Sequence, residues 1–322
     1  MSPELINSDM THTKYIRTCS IWRALDVIGD KPTLLLLESY WLGTRRFSGF
    51  QKQTGLLKTV ISNRLGKLIE AGCFEKTLYS TKPERYEYRG TEKVFDLYPT
   101  ALSMLYWEQK WGRTSGKIQL SLIHKSCGHE TLPYPACDTC RTEIDPRDVA
   151  WAEGPGVGLM PALYGRRRRK ARSGDEPTTP LFDEIADIIG DRWSTLIIRS
   201  IFTNRNSYQD ICDDTAIATN ILAERLERLC AMAVLEKNGS VYKLTPKGRD
   251  IYPILIAMME WGDTWYASPE GPPLVLTHKS CKKLLKHQMI CTACGENVVA
   301  GDMEFQFFAQ KDEALQRVGG KT

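Results

Sequence analysis

Residues 56–72 read LLKTVISNRLGKLIEAG, and residues 217–233 answer with IATNILAERLERLCAMA. In the first stretch Val60 or Ile61, Leu65, Leu68 and Ile69 recur at helical spacing, giving one apolar face. Lys58, Thr59, Ser62, Asn63 and Lys67 lie off that face, with Arg64 at its border. Gly72 stands where a helix C-cap belongs. Upstream, RRFSGFQKQTG at 45–55 predicts a shorter helix with Ser48 as its N-cap. Downstream, the alternating FEKTLY (74–79) and RYEYRG (85–90) predict a hairpin with a basic tip.

The match between the two stretches extends along the chain. ALDVIGDKPTLLLLES at 24–39 corresponds to IADIIGDRWSTLIIRS at 185–200, an offset of 161. Farther on, Tyr98, Pro99, Met104, Trp107 and Trp111 pair with Tyr252, Pro253, Met258, Trp261 and Trp265 at an offset of 154. The difference falls within the predicted hairpin, which is therefore shortened at its tip in the second copy. The chain is a tandem duplication. In each copy a short helix, a turn, an amphipathic helix and a hairpin follow in the order of a winged helix-turn-helix, whose second helix enters the major groove. The tryptophan pairs at i, i+4 are expected to pack between the copies rather than to cage a ligand.

The word HKSC occurs at 124–127 and again at 278–281, each followed by a CxxC after the same gap. Read along the chain, the ligand sets are His124, Cys127, Cys137 and Cys140, then His278, Cys281, Cys291 and Cys294. Two close pairs joined by a short loop suit a tetrahedral zinc, one structural Zn2+ per copy. Four protein ligands leave no position for a catalytic water, and redox dithiols are the competing reading. Cys73, Cys212 and Cys230 are expected to pack as small apolar residues, and His129 and His287 are spare ligands outside the repeat pattern.

The chain of 322 residues, 42% hydrophobic and 25% charged, is an ordinary globular composition with room for about two domains. No apolar run reaches the ~20 residues of a membrane span, and the N-terminal stretch lacks the apolar segment of a secretory leader. These features predict a cytoplasmic protein without membrane contact. Net charge is only +4, so any nucleic-acid surface must be a local cluster. Residues 45–70 hold six basic and one acidic residue; residues 206–231 hold two basic and five acidic. Copy 1 is thus expected to dominate contact with double-stranded DNA through Arg45, Arg46, Lys58, Thr59, Ser62, Asn63, Arg64 and Lys67. Lys82, Arg85 and Arg89 would add wing contacts. Copy 2 offers Thr219, Asn220, Arg228 and the wing residue Lys243.

The fold expectation is mainly α with a small β component: two winged helix-turn-helix domains, each followed by a zinc-knuckle-like segment. Boundaries are 15–115 and 118–150 for copy 1, a basic linker at 151–179 that includes Arg166 to Lys170, then 180–267 and 272–305 for copy 2. RALDVIGDK, RRFSGF, LLKTVISNRLGKLIEAGCFEK, YEYRGTEK and LYPTALSMLYWEQKWG together resemble an HxlR-type transcriptional regulator, in both copies. That resemblance implies DNA binding by a dimer whose terminal helices meet, so two copies in one chain imply an intramolecular pseudo-dimer and leave a further homodimer open. Pro32 departs from the tryptophan usual there, which copy 2 keeps as Trp193. The resemblance also marks Cys19 as a candidate oxidant-sensing thiol, with Pro180 at the matching place in copy 2. A thiol sensor using Cys19 or the zinc cysteines, and an interaction adaptor without DNA specificity, remain alternative readings. No nucleophile–base arrangement or phosphate loop points to an enzyme, and the effector is unspecified.

Overall fold

The computed structural model describes residues 15–112, 119–161 and 181–308. The first repeat opens with β1 (Tyr15–Arg17), α1 (Ser20–Ile28) and α2 (Lys31–Trp41). Its helix-turn-helix is α3 (Phe47–Thr54) and α4 (Lys58–Glu70), followed by the wing β2 (Phe74–Thr81) and β3 (Glu84–Gly90). Short α5 (Glu92–Phe95) leads into α6 (Tyr98–Trp111), then β4 (Gln119–His124), β5 (His129–Glu130), β6 (Tyr134–Cys137), β7 (Val149–Glu153) and β8 (Leu159–Pro161). The second repeat runs α7 (Glu184–Ile189), α8 (Arg192–Phe202), α9 (Tyr208–Thr215) and α10 (Thr219–Ala231). Its wing is β9 (Leu235–Asn238) and β10 (Val241–Leu244), followed by α11 (Pro246–Arg249) and α12 (Tyr252–Trp265). The repeat closes with β11 (Leu274–His278), β12 (Lys283–Leu284), β13 (His287–Ile290) and β14 (Met303–Phe308).

Local chemistry fixes the helix starts. Asp30 accepts from Thr33 N at the start of α2, with Pro32 in the first turn where a missing N–H costs nothing. Asp191 repeats the cap on Ser194 N in α8. Ser48 is not the cap of α3: the helix begins at Phe47, and Arg46 occupies the N-cap without a side-chain bond. The repeat-equivalent residue, Ser207, does cap α9, in a reciprocal box with Asp210. In both repeats the wing ties this corner down, through Tyr88 N to Arg45 O and Tyr242 N to Asn206 O, each 2.8 Å.

The repeats face each other about a pseudo-twofold axis. Asp30 and Asp191 form an antiparallel bridge there, and each aspartate also pairs with an arginine from its own recognition helix, Arg64 at 2.7 Å and Arg225 at 2.6 Å. The tryptophans are reciprocal inter-repeat contacts. Trp107 and Trp111 donate to Lys247 O and Asp250 Oδ2, while Trp261 and Trp265 donate to Lys93 O and Asp96 Oδ2. Trp107 and Trp261 are buried, so their rings contribute apolar area while each indole N–H finds an acceptor.

The C-terminal segments of the repeats exchange strands rather than forming two separate knuckles. β4 pairs with β14 and β7 with β11 in reciprocal antiparallel registers: His124 lies opposite Met303, and His278 opposite Val149. β6 pairs with β13 across the axis. Strand β7 at 149–153 and strand β8 at 159–161, which pairs with β1, also fall where a linker is expected to begin at 151. The basic run Arg166–Lys170 and residues 1–14 of the stretch read for a leader lie outside the described residues.

Candidate nucleic-acid interface and metal centres

The recognition helix α4 buries Ile61, Leu65 and Leu68 and exposes Lys58, Thr59, Ser62 and Asn63 on the opposite side. Arg64 belongs to neither face. It lies across the helix pair, bonding Asp30 through Nε and Asn63 through Nη1, and is committed to holding α4 on α2. Lys67 is half-buried. Arg45 donates to Tyr40 O and Thr44 O and stacks over the Tyr40 ring, which makes it a bracket of the corner more than an outward group. Arg46 is exposed and lies over the Tyr79 ring of the wing. At the wing tip Lys82 and Arg85 are exposed, while Arg89 forms an exposed pair with Glu87.

Helix α10 has the same burial pattern, with Leu222, Leu226 and Leu229 inward. Thr219 and Asn220 are exposed, Arg228 donates to Asp187 O, and Glu224 is exposed beside Arg225. The second wing spans four residues per strand against eight and seven in the first, and Lys243 is exposed on it.

All eight predicted ligands are gathered into two clusters, but their partners are exchanged. His124 and Cys127 meet Cys291 and Cys294; His278 and Cys281 meet Cys137 and Cys140. Within each cluster the ligand atoms lie within 4.8 Å of one another. This corrects the grouping read along the chain. The cause is strand exchange, which carries each HxxC turn at the end of β4 or β11 to the CxxC turn of the opposite repeat.

The geometry is that of a small tetrahedron. His124 Nδ1 is 3.5 Å from Cys127 Sγ and 3.4 Å from Cys294 Sγ. His278 Nδ1 is 3.4 Å from Cys281 Sγ and 3.2 Å from Cys140 Sγ, and Cys137 Sγ is 3.9 Å from Cys281 Sγ. Zinc bonds of about 2.3 Å to sulfur and about 2.0–2.1 Å to nitrogen give tetrahedral edges of roughly 3.5–3.8 Å. Each ligand pair is held by a tight turn in which the first ligand's carbonyl accepts from the residue four on: Gly128, Arg141, Lys282 and Gly295. All four of those residues have positive φ, and two of them are not glycine.

One cysteine in each cluster has a depressed pKa. Burial works to raise Cys291, but hydrogen bonds from the Thr131 hydroxyl and the N–H groups of Cys294 and Ala293 bring it down to about 6. Cys140 comes down to about 7 against the same opposing effect of burial, chiefly through Thr142. A thiolate available near neutral pH is the form a metal needs.

Sequence reading missed the groups behind the ligands. Among the described residues neither His124 Nε2 nor His278 Nε2 makes a hydrogen bond, but His278 Nε2 lies 3.0 Å from Asp148 Oδ2. The residue equivalent to Asp148 is Asp302, whose carboxylate accepts from Val299 N. The aspartate recurring at the 154 offset was the available signal.

The HxlR-like helix-turn-helix family model matches residues 27–115 and again 188–270, more than half of the chain. The chain belongs to the HxlR-like helix-turn-helix family. It is a tandem member, one match per repeat. It is 34% identical over 149 residues to an uncharacterized HTH-type transcriptional regulator of Mycobacterium tuberculosis, covering 46% of this chain and 93% of that protein. A Bacillus subtilis protein of the same description is 27% identical over 96 residues, which is 27% of this chain and 87% of the relative.

In this HxlR-like chain the candidate sensor Cys19 is 6% exposed at the N-cap of α1. It lines a small cavity with Arg199, Thr203 and Asp214, which belong to the second repeat. Cys73 is buried, and burial pushes its thiol up to about 11; Cys212 and Cys230 are half-buried. His129 is exposed on β5. His287 is buried, bonded through Nε2 to Ser103 Oγ at 2.9 Å, and burial lowers its pKa to about 4. Neither spare histidine is in a ligand cluster among the described residues. No helix among these residues is long and apolar enough to cross a membrane.

Proposed function

We propose that the chain is a DNA-binding transcriptional regulator in which a fused pseudo-dimer reads an asymmetric site on double-stranded DNA. The first repeat supplies most of the contact, and the second braces and orients it. The observation that carries this reading is the unequal outer face of two otherwise matching recognition helices. α4 exposes Lys58, Thr59, Ser62 and Asn63 beside a long wing with Lys82 and Arg85 at its tip. α10 exposes Thr219, Asn220 and Glu224 beside a short one. Lysine neutralises phosphate and releases counterions, and the hydroxyl and amide groups suit base edges; a carboxylate repels the backbone. The Cys/His clusters hold structural Zn2+, one ion each, since three sulfur donors and one nitrogen fill a tetrahedron and leave no open position.

Binding titrations on a selected DNA site test the division of labour. Lys58→Ala is expected to weaken binding by about tenfold, the scale of one lost charged contact, and to reduce the salt slope by about one. Thr219→Ala should change affinity by less than about threefold, under 1 kcal/mol. Equal losses would refute the asymmetry, and sequence-independent binding by the unaltered chain would favour an adaptor.

A further inference from the structure

Neither metal cluster belongs to one repeat. The HxxC half of each comes from one side of the residue 162–180 segment and the CxxC half from the other. Between the halves run the exchanged strand pairs β4–β14, β7–β11 and β6–β13. Further links reinforce the crossing. Thr131 Oγ1 lies 2.7 Å from Thr292 Oγ1 and accepts from Thr292 N, tying the first repeat to the CxxC turn of the second. Lys125 N donates to Asp302 O and Lys279 N to Asp148 O, both 2.8 Å, a reciprocal pair behind the two HxxC turns. A repeat taken alone would present two ligand pairs, each lacking the partners it meets here.

Resting on the zinc reading above, we infer that each Zn2+ is a cross-link between the repeats, so that metal binding and repeat docking are one coupled event. Two such bridges close a chain that is otherwise joined covalently only through the segment between β8 and α7. They fix the relative placement of α4 and α10, the quantity that sets half-site spacing on DNA. Coordination across the axis also explains why the second repeat keeps a full set of ligands although its recognition helix has turned acidic. Losing its HxxC would disable the site that holds the CxxC of the first repeat.

The two bridges are unequal. The cluster of His124 includes the exposed Cys294. The cluster of His278 has only buried or half-buried ligands and Asp148 beside its imidazole. Carboxylate support of a ligating histidine strengthens metal binding. The His124 cluster is therefore the one that exchanges its ion first.

Zinc content after dialysis against a competing chelator separates crossed from within-repeat ligation. Cys127→Ser with Cys294→Ser removes two ligands from one crossed site and is expected to leave one chelator-resistant zinc per chain. Cys137→Ser with Cys281→Ser should do the same at the other site. Cys127→Ser with Cys140→Ser damages both crossed sites and should leave close to none. One zinc retained by that last variant and none by the first two would overturn the inference while leaving zinc binding intact. A full-length wild-type chain that holds no zinc would instead overturn the zinc reading beneath it. A second measurement needs no substitution: the wild-type holoprotein is stripped of one zinc by limiting chelator, then labelled with N-ethylmaleimide. Cys127, Cys291 and Cys294 should label together while Cys137, Cys140 and Cys281 stay protected. Labelling of Cys127 together with Cys137 and Cys140 would contradict the crossing.

Discussion

The two repeats share an inner face and differ on the outer one. Inside, Asp30–Arg64 and Asp191–Arg225, the four indole hydrogen bonds and the four knuckle turns are duplicated nearly residue for residue. Outside, the first repeat is basic with a long wing and the second acidic with a short one. Helix ends differ too. The left-handed positions Gly55 and Gly72 of the first repeat are Ala216 and Ala233 in the second, at φ of 51° and 56°. Interior contacts couple both repeats at once, so a change there disturbs both, whereas an outer residue is free to change within one repeat.

The largest expected effect lies on the shared inner face. Arg64→Ala and Arg225→Ala should each destabilise the chain by about 2 kcal/mol, because each removes a charge-assisted hydrogen bond to a largely buried aspartate at the axis. Chemical denaturation would measure both, and a large cost for only one would break the equivalence of the inner faces. Next comes a gain of function: Thr219→Lys places in α10 the charge that α4 has at Lys58, and should tighten DNA binding about fivefold, with a steeper salt dependence. No gain would mean that α10 does not approach the backbone.

A smaller effect distinguishes Glu38 from its counterpart, Arg199. Burial raises Glu38 to about 8, with Glu108 adding to the rise, while its carboxylate accepts from Leu181 N and Phe182 N. A carboxyl whose folded pKa is raised binds more protons folded than unfolded, so its contribution falls as pH rises from about 4.5 to about 8. Glu38→Gln should flatten that part of the stability curve, measured as melting temperature against pH. Glu260, raised to about 7 by burial, leaves a residual slope. Smallest is Ala233→Gly, expected to stabilise by about 0.5–1 kcal/mol because alanine is strained at positive φ, whereas Gly72→Ala should cost about as much. Opposite signs in thermal melts would confirm that the difference is backbone strain.

Much of this was legible in the sequence. The shift from 161 to 154 located the shortened wing, the apolar periodicity of 58–70 gave the buried face of α4, and the tryptophan pairs marked the contact between copies. The partner of each ligand pair was not legible. HxxC and CxxC are spaced identically in both repeats, so within-repeat and crossed pairing are indistinguishable without the β4–β14 and β7–β11 registers, which join residues more than 100 positions apart. Arg64 was ambiguous because a border position on a helix does not say whether a distant carboxylate waits for it. Ser48 had the right chemistry for a cap two residues too late, since the wing bridge to Arg46 sets where α3 begins.

Fragments selected by the chain from random double-stranded DNA and then footprinted show how the two repeats share a site. The unequal outer faces of α4 and α10 predict one strongly specified half, protected by the first repeat, and one weakly specified half at fixed spacing. A palindrome with two equally specified halves would contradict this asymmetry.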